Sequence, residues 1–108
     1  MTRPVVWRPA AVEELVAALE GYERQRPGLG TEFATACQAA VTLVRDRPEL
    51  FRQVHGATRR VILRRFPYAI YYHVLHAEIV ILAVTHGRRD PRRWQSPLRL
   101  DLKFVVQH

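Results

Sequence analysis

Arginines bracket the two most apolar segments of this chain. Arg59-Arg60 and Arg64-Arg65 flank Val61-Ile62-Leu63, and Phe66-Pro67-Tyr68 follows. Further on, Ile79–Thr85 leads into His86, Gly87, Arg88 and Arg89, with Arg92, Arg93 and Trp94 close behind. A guanidinium is a permanent cation that forks onto phosphate and carboxylate oxygens. Several of them converging can hold an acidic partner or stabilise a phosphoryl transition state. On an extended strand residues four apart share a face, which predicts Arg60 and Arg64 on one side and Arg65 on the other. His86 ends the second run beside Gly87 and two arginines, where an imidazole can act as general acid or base. The alternative for any single arginine is protective, since charge along an edge strand opposes association of sheets. As a set, Arg60, Arg64, Arg65, Arg88, Arg89, Arg92, Arg93 and Trp94 read as a contact surface for a partner.

Other chemistry finds less support. The chain has no glycine-rich phosphate loop, no paired-cysteine site and no HExxH, and its one serine, Ser96, lies in a Gln-Ser-Pro turn. Cys37 falls within an apolar helical stripe and reads as core. The five histidines lack metal-ligand spacing; only His73 and His86 are placed to approach one another across neighbouring strands. No metal and no cofactor is called for. Tyr68, Tyr71 and Tyr72 read mainly as core and cross-strand packing.

The elements that must position these residues follow from periodicity. Val5-Val6-Trp7 reads as a short strand, and Pro9 suits the first turn of a helix because its missing N–H costs nothing there. Val12, Leu15, Val16, Leu19 and Tyr22 repeat at helical spacing, with Glu13, Glu14, Glu20 and Glu23 elsewhere around the axis. Pro27-Gly28-Leu29-Gly30 breaks this helix and Thr31 is placed to cap the next. There Phe33, Ala36, Cys37, Ala40, Val41 and Val44 form a second stripe, ended by Asp46-Arg47-Pro48. Beyond Pro48 the period becomes that of strands. Gln53-Val54 and Val61–Phe66 predict one or two strands around His55-Gly56-Ala57. Tyr68–Leu75 puts Tyr68, Ile70, Tyr72 and Val74 on one face, and Ile79–Thr85 is apolar on both.

The expected class is therefore α+β, β-α-α-β-β-β, with a helical hairpin packed on a small, mostly antiparallel sheet. A strand apolar on both faces must be covered twice. Two helices cover one face; the C-terminal tail or a partner should shield part of the other.

Length and composition set the outer limits. At 108 residues, 48% apolar and 25% charged, the chain is one globular domain. We place that domain at 1–95 and a tail at 96–108. A single cysteine fits a reducing compartment. No apolar run approaches the roughly eighteen residues that span a bilayer, and the start reads as no signal peptide. A cytoplasmic location is expected. The net charge of +7 is segregated: residues 1–50 hold six Arg against seven acids, and residues 51–108 hold ten Arg and Lys103 against three. Such a basic half favours nucleic acid, a nucleic-acid machine or an acidic protein.

The pattern resembles the RelE/ParE toxin superfamily of bacterial type II toxin–antitoxin systems, over roughly Val5 to Trp94. It rests on the first strand with Pro9-Ala-Ala-Val-Glu-Glu-Leu, on Gly30-x-x-Phe33, and on Pro48. The segment Phe66-Pro67-Tyr68-x-Ile70-x-Tyr72 comes next, then Ile79-x-Ile81-x-Ala83-Val84-x-His86-x-x-Arg89-x-Pro91-x-x-Trp94. The resemblance implies two activities. RelE-like members are ribosome-dependent mRNA endonucleases using basic side chains on the sheet, often with a C-terminal Tyr or His; ParE-like members poison DNA gyrase. Matched on Phe-Pro-Tyr, the chain keeps Arg60, Arg64 and Arg89, but has Ala69, Ile62 and Gln95 where nucleases have catalytic groups. The resemblance thus implies a ParE-like, non-catalytic toxin whose partners are a cognate antitoxin and DNA gyrase, with operator DNA reached only through the antitoxin. The alternative it leaves is an mRNA endonuclease acting on the ribosome, with Arg60, Arg64, Arg89 and His86 as its catalytic set and His108 as another candidate base.

Overall fold

The computed structural model describes residues 3–87. A short strand, β1 (Val5–Trp7), leads through Arg8 into helix α1 (Pro9–Gln25), with Pro9 at its first position as its fixed φ favours. Helix α2 (Leu29–Asp46) returns antiparallel to it. Four strands follow: β2 (Gln53–His55), β3 (Thr58–Ile62), β4 (Tyr68–Val74) and β5 (Ile79–His86). They form one five-stranded sheet in the order β1-β5-β4-β3-β2. β1 pairs with β5 in parallel and every other neighbour is antiparallel. The α+β architecture expected from the sequence is the one observed. The segment around Gly56, with φ 54, is a turn between two separate strands.

The connection between the helices depends on glycine. Gly28 adopts φ 90, a left-handed conformation that other residues reach only at a cost. At Gly30 a Cβ would come within 2.8 Å of the Leu19 carbonyl oxygen, so the helices cross too closely for a side chain. The cap of α2 differs from the expected one. Thr31 lies inside the helix, and the Glu23 carboxylate of α1 accepts the N–H groups of Gly28 (3.0 Å) and Gly30 (3.0 Å) instead. A reach from the preceding helix satisfies donors that a local hydroxyl would otherwise take.

Both helices lie on one face of the sheet. Ala11 and Ala18 of α1, and Phe33, Cys37, Ala40 and Val44 of α2, are buried against Val61, Ile70, Tyr72, Ile79, Ile81 and Val84. Val12 and Val16, expected in this stripe, are exposed; the helix is rotated so that its alanines meet the sheet at close range. Four rings fill one end of the core. Phe33 lies 5.2 Å from Phe66 and 5.2 Å from Tyr68 between centroids, and Tyr22 lies 5.0 Å from Phe66. Edge-to-face geometry of this kind adds to plain area burial. The β4–β5 ladder slips between Tyr71 and Tyr72, so Tyr71 faces Ala83 while Tyr72 faces Ile81. Leu82 is the extra residue of a bulge, which places both Leu82 and Ala83 on the face away from the helices.

Candidate partner-binding site

A groove opens where α2 lifts away from the outer half of the sheet. It encloses about 260 Å³, with a floor and walls of Ala36, Ala39, Ala40, Leu43, Val61 and Ile62. Leu43 is 49% exposed and Ile62 63%, so its long wall is apolar and wet. The ladder with β4 uses the backbone of Val61 and Leu63, which leaves the backbone N–H and C=O of Ile62 directed outward along the groove. One end is charged: Glu32, Arg64 and Arg65 line it.

The arginines do not gather as the strand pattern suggested. β3 ends at Ile62, and Leu63 N–H bonds to the Tyr68 carbonyl across a tight loop, Arg64-Arg65-Phe66-Pro67. Arg64 and Arg65 therefore sit at a hairpin tip rather than on opposite faces of a continuing strand. Arg65 takes φ 72, left-handed for a non-glycine residue, so the loop carried no glycine or asparagine to announce it. This turn lets Leu63 and Phe66 both enter the core while the cations project. Arg60, by contrast, lies half-buried on the second face, opposite Tyr71, and shares no face with Arg64. Arg59 faces the helices and donates to the carbonyls of Phe51 (2.6 Å) and Glu49 (3.2 Å), while the Tyr72 hydroxyl donates to Pro48 (2.7 Å). Together they anchor the chain between α2 and β2. Arg88, Arg89, Arg92, Arg93 and Trp94 lie outside the described residues.

The charged rim is partly balanced within the chain. Arg65 donates to Glu32 at 2.7 Å and Arg26 to the same carboxylate at 3.2 Å. These two bonds, that of Arg65 first, hold the Glu32 carboxyl below its ordinary value. The bridge is exposed and weak in water, so it orients the cations without locking them.

Two further candidates resolve differently. His73 and His86 do not approach each other: His86 pairs with Tyr68, and His73 with Val80 near the opposite end of β5. His73 is buried and hydrogen-bonded to Thr58 Oγ1 at 2.8 Å; burial, then the charge of Arg8, lowers its pKa. His86 stands edge-on to Tyr68, 5.5 Å between centroids, beside a cleft floored by Ala17, Ala18 and Gly21. Cys37 is core, its thiol pushed up to about 12 by burial, and is no nucleophile.

Residues 5–91 match the family described as ParE toxin of type II toxin-antitoxin system, parDE. The chain belongs to that family. No curated protein matches the sequence. Among solved structures, a chain from the chromosomal ParDE TA system of P. aeruginosa superposes with a TM-score of 0.70 at 18% identity. The match covers 78% of this chain and 95% of that one. At that identity the likeness is one of fold.

Within this ParE-family chain the motif residues acquire physical reasons. Gly30 allows the helix crossing, Phe33 centres the aromatic cluster, and Phe66-Pro67-Tyr68 shapes the hairpin that carries Arg64 and Arg65. One residue that holds this fold together was missed. Glu14 accepts the Val84 N–H at 2.8 Å. β1 pairs with β5 only as far as Ile81, so beyond it the edge of β5 needs another acceptor, and α1 supplies one. The signal was present: Glu14 is three residues after Ala11 and four before Ala18, the two residues α1 buries most.

Proposed function

We propose that this toxin acts by binding DNA gyrase without catalysis of its own, and that a cognate antitoxin neutralises it by filling the α2–β3 groove. The observation that carries this reading is the form of the basic surface. Arg60 and the Arg64–Arg65 tip point into different spaces, and Ala69 and Ile62, paired across β4 and β3, stand where the resemblance to RelE-like nucleases implies catalytic groups. An apolar groove with cations at one end suits an amphipathic or extended segment carrying apolar anchors and acidic residues, the antitoxin's expected chemistry. Arg60, Arg64, Arg65, Arg88, Arg89, Arg92, Arg93 and Trp94 remain the contact residues in this proposal, shared between antitoxin and target. Operator DNA is reached through the antitoxin alone.

Expression of the toxin without antitoxin tests the reading. Gyrase-dependent DNA breaks with intact mRNA are the expected early event, and purified gyrase should lose supercoiling activity when the toxin is added. Translation arrest with cleaved mRNA ahead of any DNA damage would replace the proposal by the RelE-like endonuclease reading, with Arg60, Arg64, Arg89 and His86 as its groups.

A further inference from the structure

Two arginines stand opposite one another near the outer edge of the sheet. Gln53 of β2 pairs with Arg59 of β3, and the Arg60 N–H donates to the Arg52 carbonyl at 3.1 Å, which sets Arg52 directly across from Arg60. Residues so placed share a face and hold their Cβ atoms ~5 Å apart. Arg59 faces the helices, so its neighbour Arg60 and the opposed Arg52 belong to the other side. Val54, two residues beyond Arg52, packs against Tyr71 and its neighbours on that same side.

Like charges directly opposite each other destabilise a sheet. Neighbouring cations are answered within the chain: Glu32 takes Arg26 and Arg65, and the carbonyls of Glu49 and Phe51 take Arg59. Among the described residues no acid bonds to Arg52 or Arg60. Protection of the edge explains only half of the pair. β2 is the edge strand, and a charge beside it opposes association of sheets, which accounts for Arg52. Arg60 belongs to the inner strand β3, with Arg52 on one side and Tyr71 on the other, and guards no edge there. An anion between the two guanidinium groups removes the repulsion. A carboxylate is matched by one planar fork, whereas a tetrahedral phosphate turns oxygens toward two. The excess of cations over acids in residues 51–108 draws polyanions toward this half of the molecule.

We propose that Arg52 and Arg60 clamp a backbone phosphate of duplex DNA, setting the outer part of this sheet face against the DNA that gyrase handles. The clamp rests on the gyrase reading for the source of the duplex alone. A phosphate contact positions a protein without reading bases, so operator recognition stays with the antitoxin. The α2–β3 groove and its Arg64–Arg65 rim lie apart from the clamp and stay open to the antitoxin.

Fluorescence anisotropy of a labelled, mixed-sequence duplex with full-length toxin, at about 50 mM salt and without gyrase, tests the clamp. Arg52→Gln and Arg60→Gln should each weaken binding about tenfold. The double variant should lose little more than either, because the two side chains share one phosphate. Arg60→Lys should recover only part of the loss, since an ammonium has no fork. Arg24→Gln removes an exposed charge from α1 and should leave the affinity nearly unchanged. No duplex binding by the unaltered toxin, an equal loss for Arg24→Gln, additive losses at Arg52 and Arg60, or a preference for polyglutamate over the duplex would overturn the proposal. Thermal melting gives an independent reading. With a repulsion relieved, neither Gln variant should melt below the unaltered chain, and a clear drop would make the pair structural and sink the clamp. Duplex binding and inhibition of supercoiling are separate readouts, so the clamp and the gyrase reading can fail apart.

Discussion

The two sides of helix α2 do opposite work. Toward α1 and the inner strands it buries Phe33, Cys37, Ala40 and Val44 with almost no exposure, among rings at edge-to-face distances. Toward β3 it stands off and leaves Leu43 and Ile62 in water beside Arg64 and Arg65. One side spends its apolar surface on folding and the other leaves it exposed. The difference teaches how a small domain carries a sticky surface without losing its own fold. Polar contacts fix the closed side at its margins, with Glu23 capping α2 and Glu14 closing the β5 edge, so the groove can stay open.

The sharpest way to break this division is to damage the closed side. Phe33→Ala removes the ring that touches Tyr22, Phe66 and Tyr68, leaving a cavity the crossed helices cannot collapse into. A loss of about 3–5 kcal/mol in unfolding free energy is expected from urea titration. For a domain of this size that is a large share of the total. Glu14→Ala should rank next. It strands the Val84 N–H beneath α1, at a cost of about 1–3 kcal/mol, and Glu14→Gln should recover part of this because an amide oxygen can still accept. Equal losses for Ala and Gln would mean that the carboxylate serves another contact.

The groove should behave in the opposite manner. Leu43→Gln with Ile62→Thr makes its wall polar while retaining helix and strand propensities. Stability should change by no more than about 0.5 kcal/mol, since both side chains already face water. Affinity for the antitoxin should fall about 30-fold by calorimetry, the effect of losing a hot spot of about 2 kcal/mol. A stability loss matching that of Glu14→Ala would erase the distinction between the two sides.

How far these features could be read from sequence depends on whether the physics is periodic. The α2 stripe, the β4 alternation and the doubly apolar β5 were legible because burial repeats at 3.6 or 2 residues. The crossing at Gly28–Gly30 was legible as a break, though not as a close approach. What escaped is local or long-range. Arg65 turns the chain in a left-handed conformation that its side chain does not advertise, so a hairpin looked like a continuing strand and placed Arg64 with Arg60. Glu14 and Glu23 look like solvated charges on a helix wheel, yet each serves a backbone N–H that only the tertiary fold brings near. Val12 and Val16 fit the apolar period as well as Ala11 and Ala18 do. The choice fell to the alanines because small side chains let α1 approach the sheet.

The smallest effect tests the boundary between the two sides, where Glu32 joins α2 to the hairpin tip. Its carboxylate holds Arg65 and Arg26, and those bonds, with Arg65 the larger cause, keep it ionised to lower pH than usual. For an acid held below its unfolded value, the contribution is present above that value and is lost as pH falls through the folded one. The bridges should therefore be intact at neutral pH and open only in acid, below the ordinary carboxylate range. An acidic antitoxin residue arriving at Arg65 must compete with Glu32, so Glu32→Gln should raise antitoxin affinity a few-fold at low salt. The gain should shrink at high salt, because an exposed pair is screened within about 10 Å at 0.1 M. Surface plasmon resonance across a salt series reads both. A decrease in affinity would mean that Glu32 arranges Arg65 for the partner, and the rim would then be built for binding as firmly as the core is built for folding.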